Sequence, residues 1–405
     1  MIARFARGDE SARRELEASA NAEPPLPWAN RMLTRDAHLH EDDRAAAKLY
    51  LREGLAFPSR IGDVDTAITL LIEQEEWDAV DEHLRDARIA DALQPDTNYE
   101  IAVHRRDWKG AVRTLPQTWL PRFAGAGPWL SAIAALAWGF FCTRLGRVGD
   151  RPWFRLPLYL VAFVLGVASI GPTLFLISVE EASLHLVETG DLVRDLLYFV
   201  FGVGLREEAS KLLLFALLLP VLRKWGDKLD VLACGAMVGL GFAAEENLGY
   251  LASGDLGTGL GRFLTANFLH MAMTGLLASA LDDLLRDSER YAAEFFRKSL
   301  LVVAIHGVYD CAISHADVGG GYISMIVFFI LTKMFVDAVD AARKKADRGF
   351  TPVHAFIVAL AVVTGASFAH AIDVVGIRTA PLVMLPGLIG EAITIAVFVR
   401  YFEVI

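Results

Sequence analysis

The chain has 405 residues, of which 54% are hydrophobic, and its mean hydropathy of +0.39 is higher than an ordinary soluble enzyme would show. This composition predicts that a lipid bilayer surrounds much of the protein. The formal net charge of -10 at pH 7 argues against a nucleic-acid partner. The three cysteines lie far apart in apolar stretches, so neither a disulfide framework nor a CxxC zinc site can be drawn.

Residues 1–126 are predicted to form a soluble helical domain, because their apolar residues recur at the three- and four-residue spacing of amphipathic helices. The segment Trp77-Asp78-Ala79-Val80 recurs with one insertion at Trp108, 31 residues later. That period suits stacked helix pairs. Two interpretations stay open. One is a tetratricopeptide-like repeat domain that binds protein as a substrate-recruiting or regulatory adaptor, and the other is a small helical domain with two coincidental tryptophans.

Residues 127–405 are predicted to form a polytopic, multi-pass transmembrane helix bundle, so the predicted fold class is all-α. Uncharged runs of about 17 to 25 residues can cross a hydrocarbon core about 30 Å thick. Nine segments approach that description, with the first short and the third overlong, which predicts eight or nine spans. The segments are 128–143, 156–179, 196–222, 231–252, 263–281, 299–318, 322–341, 353–375 and 381–402.

The charge of the connecting loops orients this bundle, because cytoplasmic loops carry an excess of Lys and Arg. We predict a protein of the cell (inner) membrane. Nine spans would place the N-terminal domain outside although no signal peptide precedes it, whereas a re-entrant or interfacial 128–143 would keep it cytoplasmic. The basic loops, predicted to be cytoplasmic, are 144–155, 222–230, 282–298 and 342–352.

Four groups of ionisable residues interrupt the apolar segments. A charge inside a bilayer costs about 2.5 to 3.5 kcal/mol on insertion scales, so such residues are candidates for function. A compensated salt bridge or a hydrogen-bonded packing histidine explains any one group, but four groups on successive segments favour one shared site. The groups are Arg206–Lys211, Glu245–Tyr250, His270–Thr274 and His306–Asp310.

The depth of each group can be calculated from the predicted segment ends, since a helix rises about 1.5 Å per residue. Counted from the outer boundary, Glu246 and His270 lie about 9 to 12 Å deep, and Glu207 and His306 about 12 to 18 Å deep. We therefore expect these side chains to meet in one layer of the outer half of the bilayer.

Carboxylates and two histidines at one depth suit metal-assisted hydrolysis. Zn²⁺ takes His nitrogens and Glu oxygens and keeps a position for water, whose pKa falls to about 7. We predict that His270, His306 and Glu246 bind zinc and that Glu207 is the general base.

Four other side chains receive catalytic or supporting roles in this scheme, and they are Glu208, Lys211, Asn247 and Asp310. Lys211 lies on the same helical face as Glu207 and is expected to hold Glu208 or Glu207 charged. Asn247 is expected to donate a hydrogen bond to the developing oxyanion. Asp310 is expected to orient His306.

The motifs, in this order along the chain, are Glu207-Glu208-x-x-Lys211, Phe242-x-x-x-Glu246-Asn247-x-x-Tyr250, His270-x-x-x-Thr274 and His306-x-x-x-Asp310. The set resembles that of PrsW-type intramembrane proteases, distant relatives of the CAAX prenyl endopeptidases, over about residues 196–315. The resemblance implies a membrane-embedded, metal-dependent peptidase that cuts membrane-anchored proteins, with an anti-sigma factor as the target in the best-known role. Asp310 stands where relatives often carry Asn, so an acid there could itself be a ligand. Whether such enzymes use a metal, or only a Glu and His pair activating water, stays open.

Two other functions fit the same residues. A proton- or ion-coupled transporter would use buried Glu, His and Asp as a relay. Inverted internal repeats would favour the transporter, and the two halves of the sequence show none. A catalytically inert membrane scaffold is the third possibility, and the intact Glu207-Glu208 pair and both histidines argue against it.

Overall fold

A computed structural model describes residues 2–5, 9–23, 25–40, 42–119, 127–184, 186–252, 265–315, 320–342 and 352–385, together with 392, 395–396 and 399–400. The chain forms two compact units, Met1–Leu120 and Pro121–Ile405. Within the described ranges every regular element is a helix, which confirms the all-α class. The predicted domain boundary after residue 126 falls just outside these ranges and stays a prediction.

The first unit is built from short amphipathic helices that bury aliphatic side chains between them. Val64, Ala67 and Ile68 from one helix and Val80 from the next are fully buried at its centre. The helices are α1 Ile2–Phe5, α2 Glu10–Asn21, α3 Ala29–Leu39, α4 Asp43–Ala56, α5 Gly62–Glu73, α6 Trp77–His83, α7 Ala87–Ala90, α8 Pro95–His104 and α9 Trp108–Trp119.

The sequence match around the two tryptophans corresponds to two helix-turn-helix pairs, α5–α6 and α8–α9. Trp77 and Trp108 each begin the second helix of their pair. Two residues before each tryptophan the backbone turns with positive φ, 56° at Glu75 and 55° at Arg106. The Trp77 ring stacks on His104 at 3.6 Å between ring centroids. The two pairs therefore share a turn geometry, and the tetratricopeptide-like assignment stays a prediction.

The second unit contains longer and more apolar helices. A fully buried set of side chains, including Phe141, Phe268 and Phe335, joins several of them in one apolar core. The helices are α10 Gly127–Leu145, α11 Pro152–Ala168, α12 Ile170–Leu184, α13 Leu192–Leu197, α14 Leu205–Ala216, α15 Leu219–Trp225, α16 Lys228–Ala252, α17 Ala266–Arg286, α18 Ser288–Ser314, α19 Gly320–Ala342 and α20 Pro352–Val375.

Three helical segments among the described residues are long and apolar enough to cross a membrane. They are Pro152–Glu180, Ala266–Arg286 and Val353–Val375. The three overlap the predicted spans 156–179, 263–281 and 353–375. The chain thus has the apolar helices of a membrane protein, while the count of eight or nine spans stays a prediction. Most of the last predicted span, 381–402, lies outside the described residues.

The overlong predicted segment 196–222 is divided into several pieces. A π-helical turn, Tyr198–Gly204, separates α13 from α14. Such wide turns are uncommon and frequently occur at functional sites. A Cβ atom on Gly204 would lie 2.8 Å from the Val303 carbonyl oxygen, and one on Gly307 would lie 2.4 Å from Val200 Cα. Glycine at these two positions therefore lets the wide turn and α18 pack backbone against backbone.

The helices α16 and α17 also approach closely, and Gly239 marks the contact. A Cβ atom there would lie 2.1 Å from the His270 carbonyl oxygen. We expect Gly239→Ala to force the helices apart and to lower the free energy of unfolding by about 1 to 3 kcal/mol. Thermal unfolding in detergent measures this change. The control is Gly249→Ala on the same helix, where an added Cβ meets nothing within 4 Å; equal melting temperatures for the two variants would contradict the close packing.

An ion network fixes the start of α16 against α11. The buried Arg155 side chain donates from Nε to Asp230 Oδ1 at 2.6 Å and from Nη2 to Asp227 Oδ2 at 3.1 Å. It also donates from Nη1 to the Arg147 carbonyl oxygen at 2.7 Å. Because Asp230 is fully buried and paired, this network sets the position of the helix that carries Glu246.

Candidate active site

Helix α14 carries a lysine that no solvent reaches. Lys211 is 0% exposed, and its Nζ lies 2.6 Å from Glu208 Oε1 and 3.6 Å from Glu207 Oε2. The same ammonium lies 4.2 Å from the centroid of the Phe242 ring. The i,i+4 face predicted for Glu207 and Lys211 is therefore present, but the shorter contact is to Glu208. Lys211 and Glu208 form a buried ion pair.

His306 from α18 lies among three carboxylates. Its Nδ1 is 3.0 Å from Glu208 Oε1, and its Nε2 is 3.2 Å from Asp310 Oδ2 and 3.5 Å from Glu207 Oε2. A carboxylate on one ring nitrogen fixes the tautomer and the orientation of the ring. Glu208 is placed to do this from Nδ1, whereas Asp310 lies on the same side of the ring as Glu207. Glu208 is therefore an alternative to Asp310 as the residue that orients His306.

His270 from α17 bridges the lysine and another carboxylate. Its Nδ1 lies 2.9 Å from Lys211 Nζ, and its Nε2 lies 3.0 Å from Glu246 Oε2. An ammonium group has donors only, so Nδ1 accepts and Nε2 carries the hydrogen that is donated to Glu246. To bind a cation through Nε2, the ring would have to transfer that hydrogen to Nδ1 and give up its bond to Lys211. His270 is thus less ready to be a ligand than His306.

One ligand atom from each of Glu207, His270 and His306 lies within 4.8 Å of the others, so this group could hold a metal ion. Glu207 Oε2 is buried and accepts no hydrogen bond from the described residues. An orphaned carboxylate oxygen beside two imidazoles fits a divalent cation such as Zn²⁺. The sequence-based set of Glu246, His270 and His306 shares both histidines with this group and differs in the carboxylate.

Exposure changes in one direction across the cluster. The side chains of Lys211 and Glu208 are 0% and 2% exposed, whereas those of Glu246 and Asp310 are 21% and 24% exposed. Carboxylates that faced lipid would be strongly unfavourable, so the exposed edge is best explained as open to water. Glu246 and Asp310 thus form the partly exposed edge of the cluster.

Asn247, the predicted oxyanion donor, has a partner that sequence reasoning missed. Its Nδ2 donates to Asn267 Oδ1 at 3.1 Å, and both amides are 1% exposed. Asn267 lies one helical turn before His270. Thr274 lies one turn after His270 and donates from Oγ1 to Glu208 Oε2 at 3.4 Å. Asn267 lies three residues before His270 and Thr274 lies four residues after it, and this spacing in the sequence could have indicated that all three share one helical face.

Among the charged residues of the group Arg206–Lys211, Arg206 forms its short ion pair outside the cluster. Its Nη1 donates to Glu180 Oε2 on α12 at 2.6 Å. The structure therefore brings together Glu207, Glu208 and Lys211 with both histidines, while Arg206 joins two helices.

Comparison with known proteins supports the resemblance drawn from the motifs. Residues 155–335 match the family described as PrsW family intramembrane metalloprotease. That range contains every candidate residue from Glu207 to Asp310. No curated protein matches the chain, and no solved structure matches it either.

Proposed function

We propose that this chain, which over residues 155–335 belongs to the PrsW-type family of intramembrane proteases, is an endopeptidase that hydrolyses peptide bonds of membrane-anchored proteins. An anti-sigma factor, the target in the family's best-known role, is the first substrate class to test. The protein would be a multi-pass protein of the cell (inner) membrane, and its N-terminal unit would recruit or regulate the protein substrate.

The observation that carries this proposal is the state of Glu207. Its Oε2 is buried, accepts no hydrogen bond from the described residues and lies 3.5 Å from His306 Nε2. A general base needs a lone pair that is not already committed to another donor. Glu207 has such a lone pair next to the edge that water can reach.

In the proposed reaction Glu207 takes a proton from the attacking water. At the same time the water oxygen bonds to the carbonyl carbon of the scissile peptide. The carbon–nitrogen bond then breaks, and the proton held by Glu207 goes to the departing amine. Two products leave, a carboxylic acid and an amine, and Glu207 returns to its starting state. Asn247, held by Asn267, is proposed to donate to the oxyanion.

The buried charges support these steps. Lys211 keeps Glu208 anionic through the contact at 2.6 Å. Glu208 in turn accepts from His306 Nδ1, and Nε2 on the other side of the ring faces Asp310 Oδ2 at 3.2 Å and Glu207 Oε2 at 3.5 Å. To bind a cation, His306 would release the hydrogen on Nε2, and Asp310 and Glu207 would then face the ion.

We propose that zinc is held by His306 and His270 together with Glu246 or Glu207. When bound, the ion would polarise the scissile carbonyl and lower the pKa of a coordinated water to about 7. The donors fit, because Zn²⁺ prefers imidazole nitrogen and carboxylate oxygen. Asp310 is a further oxygen donor on the same side of His306.

His306→Ala tests the proposal directly. We expect this variant to lose the zinc equivalent bound at this site and to cut a library of single-span membrane peptides about 10³-fold more slowly than the unchanged protein, because it removes a ligand and the partner of Glu208. Metal content by mass spectrometry and peptide cleavage in detergent are the two measurements. His370→Ala, on α20, is the control and should behave like the unchanged protein. Full activity of His306→Ala would rule out the proposed site.

A further inference from the structure

A second group of metal-ligand side chains lies outside the candidate active site. One ligand atom from each of Glu188, Asp195 and His315 lies within 4.8 Å of the others. Glu188 precedes α13, Asp195 lies in its first turns, and His315 directly follows α18. From these positions we infer that the three side chains form a second site for a zinc-type divalent cation, one that joins the end of α18 to α13.

Both oxygens of Asp195 and one oxygen of Glu188 already accept hydrogen bonds. Asp195 Oδ1 accepts from Thr189 N at 2.7 Å and from Thr189 Oγ1 at 2.9 Å, and Glu188 Oε1 accepts from Ser314 Oγ. Asp195 Oδ2 accepts from Gly190 N at 2.9 Å and faces His315 Nε2 at 3.0 Å. The carboxylates are thus fixed in orientation before any ion binds.

The spacing suits a tetrahedral ion after a small adjustment. With Zn–N and Zn–O bonds of about 2.0 to 2.2 Å, two ligand atoms of a tetrahedral site are about 3.4 Å apart. The Asp195 and His315 atoms are 3.0 Å apart, and the third ligand atom lies within 4.8 Å of both. An imidazole together with two carboxylates is a donor set that zinc accepts and that Ca²⁺ or Mg²⁺ uses less readily.

Charge gives an independent reason for a cation at this place. Among the described residues, no Lys or Arg nitrogen lies within 4.0 Å of Glu188 or Asp195, and the ion-pair partner of Asp195 is His315. Asp195 is 0% exposed, so its carboxylate depends on protein donors, which are Thr189, Gly190 and His315. The carbonyl end of α18, which spans 27 residues, adds negative potential where His315 begins. Two carboxylates and a helix C-terminus without a fixed cation favour a bound one.

This site is distinct from the candidate active site but joins the same elements. His315 follows His306 by nine residues, which is about 13 Å along a helix, too far for one ion to bind both. Asp195 precedes Glu207 on the path through the π-helical turn. A cation held by Asp195 and His315 would therefore fix α18 against the segment that leads to Glu207. The inference does not depend on the proposed hydrolysis.

The test uses the full chain in detergent, stripped with EDTA, reloaded with zinc and desalted. Bound zinc is measured by mass spectrometry for the unchanged protein, His315→Gln, Glu188→Gln and His306→Gln, with His370→Gln as the matched control. We expect His315→Gln and Glu188→Gln each to weaken binding at this site at least about tenfold. Both should then retain one equivalent fewer than the unchanged protein after desalting.

The variant His306→Gln separates the two sites. If it retains one equivalent that the double variant His306→Gln/His315→Gln loses, the second site is established, whatever the activity of the protein. If the active site binds no metal, the unchanged protein should hold one equivalent that His315→Gln alone removes.

Melting temperatures show whether the variants are folded. In EDTA the His315→Gln variant and the unchanged protein should melt alike, and zinc should raise the melting temperature of the unchanged protein more. Equal zinc content and equal zinc response for the unchanged protein, His315→Gln and Glu188→Gln would overturn the inference.

Discussion

Glu207→Gln is expected to lower the rate of peptide-bond cleavage by about 10²- to 10⁴-fold, the range that a general base contributes. The substitution keeps the shape of the side chain but removes the lone pair that would take a proton from water. Since Glu207 Oε2 accepts no hydrogen bond from the described residues, few native contacts are lost and the fold should persist. Cleavage of single-span peptides under single-turnover conditions measures the chemical step.

Glu245→Gln is the matched control for this experiment. Glu245 precedes Glu246 on α16 but lines a different groove, with Trp129 and Phe163 among its neighbours. Its neutralisation should leave cleavage unchanged. The zinc equivalent at the candidate active site is informative as well: its retention in Glu207→Gln assigns the ligand carboxylate to Glu246, and its loss assigns it to Glu207. A normal cleavage rate in Glu207→Gln would exclude Glu207 as the base.

Lys211→Met is expected to give the largest loss of stability, about 3 to 5 kcal/mol. The substitution leaves Glu208, whose side chain is 2% exposed, without its cation at 2.6 Å, and it removes the donor to His270 Nδ1. An uncompensated buried carboxylate is far more unfavourable than a missing ion pair. Chemical or thermal unfolding in detergent measures the difference.

The double variant Lys211→Met/Glu208→Gln distinguishes charge from packing. Removing both charges should restore much of the lost stability, because an ion pair replaced by neutral groups of similar volume is often nearly neutral in energy. Cleavage should stay low, since the acceptor for His306 Nδ1 is no longer anionic. If Lys211→Met alone were as stable as the unchanged protein, Lys211 would not compensate the charge of Glu208.

The convergence of the four groups could be predicted because charged residues inside apolar segments are conspicuous and a helix has a fixed rise per residue. Glu207 and Lys211 followed from the i,i+4 rule, and their side chains are 3.6 Å apart. His270 and His306 were placed at similar depth, and their ring centroids are 5.3 Å apart. Sequence patterns thus indicated which side chains gather.

The pairing of individual atoms could not be predicted in the same way. Whether Glu208 or Asp310 faces His306 Nδ1 depends on the rotation of two helices about their axes, and apolar periodicity defines that rotation too loosely. The π-helical turn within 196–222 gave no signal, because its residues are as apolar as those of an ordinary helix. The group of Glu188, Asp195 and His315 joins a loop to a helix end, a long-range contact that no local pattern encodes.

The π-helical turn also restricts how this segment can change in length. Each residue added to or removed from an α-helix rotates everything after it by about 100°. A one-residue deletion within 198–204 that converted the wide turn to ordinary helix would swing Glu207 and Lys211 away from His306 together. An added residue in an exposed loop causes no such rotation, whereas a change of one residue in the twelve-residue separation of Asp195 and Glu207 would turn the catalytic face away from α18.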